Sequence, residues 1–230
     1  MLSLFVALAC VSAPSELPSA ADPWLAEVQA RVAASNRAFS PSAMGLVSET
    51  AAGTLSLTVE SGGVELIGED GSAPWGVRLV TKRVGRVNEP AEPLPDRSAT
   101  LGRCTPGDTP GIDGACIARA ELRSPGVVEF LRARDGSYER GFELDEPAGT
   151  GDELFIDIAV EGASVVADAR NARFVLPDGR KVRYDGLYVT DAGGVELASH
   201  FEPLGDGLRI VVNVANARFP ITVDPTLAPA

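Results

Sequence analysis

Apolar and polar residues alternate with a period of two along most of the chain. The pattern is cleanest at Leu154, Ile156, Ile158 and Val160, with Asp157 on the opposite face of the same run. A period of two is the mark of a strand with one buried face. Strand-like runs of this kind cover Thr54–Glu60, Gly63–Ile67, Gly76–Arg83, Ile117–Arg123, Val127–Ala133 and Tyr138–Leu144. A second series covers Leu154–Val160, Ser164–Ala167, Arg173–Leu176, Lys181–Tyr184, Leu187–Thr190 and Val195–Phe201. Asp-Gly pairs at positions 70, 113, 135, 178, 185 and 206 sit between or beside these runs. Their glycines supply the positive φ of tight hairpin turns. The last alternation, Leu208, Ile210, Val212 and Val214, pauses at Ala215-Asn216-Ala217 and resumes as Phe219-Pro220-Ile221-Thr222-Val223. It predicts a closing hairpin over Leu208–Val223, ended by Asp224-Pro225, because proline lacks an N–H and restricts the residue before it.

One segment has helical spacing. Asp22 can cap it, Pro23 suits its first turn, and Trp24, Leu25, Val28 and Val32 share a face, which predicts a helix over Pro23–Ala34. Trp24 and Trp75 read as packing residues. Together these elements predict an all-β fold: an antiparallel β-sandwich-like body of one large or two small packed units, with one short N-terminal helix.

The expected organisation is a signal peptide over 1–21, a helix and linker over 22–40, a sandwich-like domain over 41–225 and a C-terminal tail over 226–230. The loop Asp145–Gly151 (DEPAGTG) separates the two strand series and marks either a subdomain boundary or a long sandwich connection. Val87–Pro110, rich in proline and poor in apolar residues, reads as an extended surface loop. No fixed-period repeat appears, so the chain is not itself expected to be a propeller or solenoid.

Composition narrows the partners. The 230 residues hold 20 Lys plus Arg against 32 Asp plus Glu, a net charge of -12. Such a surface repels polyanions, so nucleic acid is not an expected partner. The apolar stretch Leu2–Ala13, followed by small residues, reads as a secretory signal, and no segment approaches the roughly 18 consecutive apolar residues that a membrane-spanning helix needs. Ala7-Leu8-Ala9-Cys10 loosely resembles a lipoprotein cleavage box, which makes acylation of Cys10, and with it a lipid anchor, the alternative to a plain signal peptide. Beyond that segment two cysteines remain, Cys104 and Cys116. An even count in an exported chain points to a disulfide, with two free thiols or half of a metal site as alternatives.

Candidate chemistry is thin. His200 is the sole histidine and lies on the face opposite Phe201, toward solvent. Asp145, Glu146, Asp152 and Glu153 are candidate Ca²⁺ ligands, with Asp191-Ala192-Gly193-Gly194 a second site; the competing reading is solvated turns in an acidic protein. No G-x-S-x-G elbow, H-E-x-x-H pair or Walker-type loop occurs in the sequence, and no catalytic residue or cofactor is expected.

Four segments carry a family resemblance. They are Ser35-Asn36-Arg37-Ala38-Phe39; Gly141-Phe142-Glu143-Leu144; Tyr184 to Gly194 (YDGLYVTDAGG); and Ala217-Arg218-Phe219-Pro220-Ile221-Thr222-Val223-Asp224-Pro225. In this order they resemble the β-rich region found ahead of FG-GAP (integrin-alpha-type) β-propeller repeats in secreted bacterial proteins. The stretch before Gly141, Asp135 to Arg140, departs from the aromatic and asparagine-bearing pattern usual there. The resemblance implies a non-catalytic secreted or cell-surface module that packs against or presents a partner, such as a downstream β-propeller or another surface protein. The alternative is a carbohydrate-active enzyme with a carboxylate pair in a sandwich groove.

Overall fold

The computed structural model describes residues 23–25, 38–50, 55–69, 73–104, 116–134 and 136–230. The chain divides into Met1–Ala33 and Ala34–Ala230. In the first part the described residues Pro23–Leu25 are helical; the rest of the helix expected over Pro23–Ala34 lies outside the described residues. So do the signal segment and Cys10. Trp24 is 62% exposed, while Trp75 packs against the core.

The second part begins with an antiparallel meander: β1 (Ser40–Pro41), β2 (Gly45–Glu49), β3 (Leu55–Glu60), β4 (Gly63–Gly68) and β5 (Trp75–Arg86). A second meander follows in another sheet, with β6 (Ala99–Gly102), β7 (Cys116–Ser124), β8 (Val127–Arg134) and β9 (Ser137–Leu144). β10 (Glu153–Glu161) returns to the first sheet. β11 (Ser164–Ala167), β12 (Ala172–Val175) and β13 (Lys181–Thr190) extend the second. β14 (Ser199–Leu204) and β15 (Gly207–Asn213) complete the first, and β16 (Ile221–Pro229) enters the second. Each sheet has eight strands, in the orders β1-β2-β3-β4-β5-β10-β15-β14 and β11-β12-β13-β16-β9-β8-β7-β6. Every pairing of named strands is antiparallel, so the body is an all-β sandwich. The sheets approach each other at their margins, where β6 lies beside β2 and β11 beside β14 and β15.

Alternation builds the core. In β3, Leu55, Leu57 and Val59 are buried while Ser56, Thr58 and Glu60 are half-buried. Leu57, Leu66, Leu79 and Ile156 of the first sheet share one buried cluster with Leu122, Leu131, Phe142 and Val223 of the second. The loop at Asp145–Gly151 is a connection that carries the chain from β9 in one sheet to β10 in the other, held where Arg86 Nη1 donates to the Gly151 carbonyl at 2.6 Å.

Three expectations need correction. The closing hairpin does not form, because β15 lies between β10 and β14 while β16 lies between β13 and β9 in the other sheet. The alternation still holds, with Leu208, Ile210, Val212, Val214, Ile221 and Val223 all buried. Two strands in opposite sheets of one core bury the same pattern that a hairpin would, so periodicity does not separate the two arrangements. Nor does Asp224-Pro225 end the fold: β16 continues to Pro229, so 226–230 is no tail. Asp224 pairs with Tyr188 and Thr226 with Asp185, leaving Gly186 and Leu187 opposite Pro225. This two-against-one bulge, with Gly186 at φ 67°, accommodates a residue that has no N–H for the ladder. Asp185-Gly186 is therefore a bulge inside one long strand and not a turn between two. Thirdly, Val195–Phe201 is largely connection, the strand running instead over Ser199–Leu204, and the Val87–Pro110 loop contains strand β6.

Candidate functional site

The outer face of the first sheet carries a row of alternating charge. Asp157 on β10 lies directly opposite Arg83 on β5 and Arg209 on β15, and Arg209 lies opposite Glu202 on β14. Arg209 Nε donates to Asp157 Oδ1 at 2.7 Å, and Arg83 Nη2 donates to Oδ2 at 2.7 Å. Further bonds of 3.1 Å from Arg83 Nε and Arg209 Nη2 fill Oδ2. The Asp157 side chain is 4% exposed although it points away from the core. Its bond to Asp157 holds the Arg209 guanidinium above its usual pKa against the opposing effect of burial. Both arginines also lie over the outward-facing Phe155 ring, with guanidinium carbons 4.3 Å (Arg209) and 5.9 Å (Arg83) from its centroid.

A cleft of about 400 Å³ opens beside this row. Asp157, Ile158 and Ala159 line it from β10, Lys82 and Arg83 from β5, Pro93 from the following loop, and Leu204, Asp206 and Gly207 from the β14–β15 turn. A bulge shapes it: Asp157 pairs with Arg83 but Ile158 with Thr81, leaving Lys82 as the extra residue. The Lys82 carbonyl accepts the Leu94 N–H at 2.8 Å, which holds the proline-rich loop along β5. Gly207 lies so close to the Ile158 carbonyl that a Cβ would collide with it.

Between the sheets lies a buried ionic cluster. Arg140 Nε donates to Glu129 Oε1, Arg97 Nη2 to Oε2, and the Thr81 hydroxyl also to Oε2, all at 2.8 Å. Arg140 Nη2 donates in turn to Thr81 Oγ1 at 2.8 Å. Burial pushes the Glu129 carboxyl up, but Arg140, Arg97 and the Thr81 hydroxyl outweigh it and hold its pKa below the ordinary value. Burial raises Tyr184 and Tyr138 to about 12, so both act as neutral donors, Tyr184 to the Arg140 carbonyl at 3.2 Å and Tyr138 to the Ser48 carbonyl at 2.9 Å.

The outer face of the second sheet repeats the arginine-over-phenylalanine motif. The Phe130 ring lies on Gly141, with the guanidinium carbons of Arg119 and Arg132 at 4.3 and 4.9 Å from its centroid. Arg119 is held by Glu121 and Glu143, each at 2.7 Å. Asp224, also on this face, is pushed up to about 6, first by burial and then by Glu139, with Arg132, Arg134 and Arg119 pulling the other way.

The residues singled out from sequence fall into place differently. Cys104 and Cys116 form a disulfide with Cα atoms 4.9 Å apart, tying the residues after β6 to the start of β7. His200 does face outward, beside Glu202 at 3.1 Å. The Ca²⁺ candidates do not converge: Glu146 pairs with Arg86 at 3.4 Å, and Glu153 sits exposed at the head of β10. Asp191 accepts the N–H groups of Gly193 and Val195 on Oδ1 and that of Arg218 on Oδ2, so its carboxylate, with a lowered pKa set chiefly by the Val195 bond, closes a turn. Among the described residues no three His, Cys, Asp or Glu side chains gather as a metal site. Lys82, Arg83, Asp206 and Arg209 were not legible as a group; the available signal was Asp157, a lone carboxylate within an apolar strand. No protein-family model matches the chain, and no curated protein matches it in sequence.

Proposed function

We propose that the chain is a non-catalytic, secreted or cell-surface β module that packs against or presents a partner domain. The observation that carries this reading is the coordination of Asp157. Its two oxygens receive four bonds from two arginines, so of the two carboxylates that line the cleft, Asp157 and Asp206, the first fastens three strands together and has no role left as base or nucleophile, which leaves no free pair there. The disulfide and the absence, among the described residues, of a helix able to cross a membrane are compatible with export. The arginine-capped phenylalanines give both outer faces a rigid, charged relief suited to contact with another domain.

The test joins the chain to an FG-GAP propeller placed after Ala230 and follows unfolding by calorimetry. Packing against the partner is expected to raise the melting temperature of the module above that of the isolated chain. Two transitions identical to those of the separate proteins would overturn the reading. Hydrolysis of a polysaccharide, lost on Asp206→Asn in a chain that still folds, would favour the enzyme instead.

A further inference from the structure

We infer that the cleft on the outer face of the first sheet binds a small organic carboxylate that also carries hydroxyl or ammonium groups. This site shares Asp157 and the outer face of the first sheet with the partner-domain reading but does not depend on it.

The anchor is Lys82. It is one of two lysines in a chain with 18 arginines, and among the described residues it has no ion pair. The bulge that leaves Lys82 outside the strand register places it at the cleft wall, exposed. Bulges recur beside functional sites because the extra residue, left out of the ladder, re-aims a side chain. Next to it, Arg83 gives Nε and Nη2 to Asp157 and keeps Nη1 for another acceptor, and its side chain is 44% exposed. The two donors together form a point charge beside a guanidinium edge, an arrangement that receives a carboxylate.

The rest of the cleft restricts the ligand. Asp206 contributes a second carboxylate, with no ion pair among the described residues, which accepts hydroxyl or ammonium protons. With a chain charge of -12, it disfavours polyphosphates and other multiply charged anions. Pro93 and Leu204 supply apolar wall, Leu204 being 37% exposed. A volume of about 400 Å³ lies in the small-molecule range.

The experiment is a titration of the ¹⁵N-labelled full chain with D-glucuronate, with L-alanine as the ammonium-bearing carboxylate and D-glucose as the neutral control. Saturable shifts at Lys82, Ile158 and Gly207 are expected with one of the two carboxylates and not with glucose, and which one binds shows whether Asp206 reads hydroxyls or an ammonium. Lys82→Gln is expected to weaken binding about tenfold and Asp206→Asn less. Leu204→Glu, which places a repelling charge in the cleft without touching Lys82, is expected to abolish binding and decides the matter if Lys82→Gln fails to fold. Absence of shifts with both carboxylates, equal binding of glucose, or undiminished binding by folded Lys82→Gln or Leu204→Glu would each overturn the inference.

Discussion

The hydroxyl of Thr81 on β5 donates to the carboxylate of Glu129 on β8 at 2.8 Å, joining the two sheets through their interior. Glu129 is also the counter-charge for Arg140 and Arg97, and all three are buried. Removing one member of such a cluster leaves the others charged and uncompensated. Glu129→Gln is therefore expected to lower stability by about 3–5 kcal/mol. Urea unfolding measures it. A combined replacement of Glu129, Arg140 and Arg97 by leucine or methionine is expected to recover part of the loss; a single substitution without effect would contradict the account.

Gly141 stands under the Phe130 ring, and a Cβ there would collide with both the ring and the Val223 carbonyl. Gly141→Ala is expected to cost about 1–3 kcal/mol by displacing the ring from its arginine cover. Phe130→Leu in the same chain removes the ring's part of the clash and leaves that of the Val223 carbonyl, so the double variant is expected to lose less than the sum of the two single changes. Strict additivity in thermal melts would count against the contact.

Strands were legible where one face is apolar and the other polar. β7, β8, β9, β10 and β11 fall within a residue or two of their predicted ends. β2 and β6 were not: Gly45–Glu49 places its apolar pair Leu46 and Val47 side by side instead of alternating, and Ala99–Gly102 lies in a proline-rich stretch with Leu101 as its one large apolar residue. The sheet to which a strand belongs is set by contacts far along the chain, and β15 and β16 read as a hairpin for that reason. The cleft was illegible on the same grounds: Lys82, Asp157 and Asp206 belong to three separated segments that only the sheet order brings together.

Burial, and after it the Glu139 carboxylate, push Asp224 up to about 6 from an ordinary 3.8. A raised carboxyl pKa means that the folded state favours the protonated form. Its relative stabilisation is fully present below about 3.8 and is lost as pH rises through about 6. Asp224→Asn is thus expected to stabilise the protein at pH 7 by roughly 1–2 kcal/mol after allowance for its partial exposure, and the gain should vanish by about pH 4. Glu129 works in the opposite sense: its contribution is present above 4.5 and lost as pH falls through its lowered folded value. Paired melts of parent and Asp224→Asn across this range separate the two. An equal difference at every pH would show that Asp224 does not titrate there.

The last strand supports the sharpest prediction about the chain's end. Leu227 and Ala228 are 0% and 6% exposed, Leu227 lies opposite Tyr138 of β9 and Tyr184 of β13, and the Ala230 N–H donates to the Lys181 carbonyl at 3.0 Å. Deleting Thr226–Ala230 removes the buried Leu227 side chain, about 1.5–3 kcal/mol by itself, and strips ladder partners from both neighbouring strands. The loss falls beside Tyr138, whose hydroxyl reaches Ser48 in the other sheet, so the damage extends beyond the edge of one strand. The shortened chain is expected to unfold at clearly lower urea concentration than the parent, and deletion of Ala230 alone to have little effect. A chain ending at Pro225 that unfolds at the parent's midpoint would show that β16 contributes nothing past its bulge.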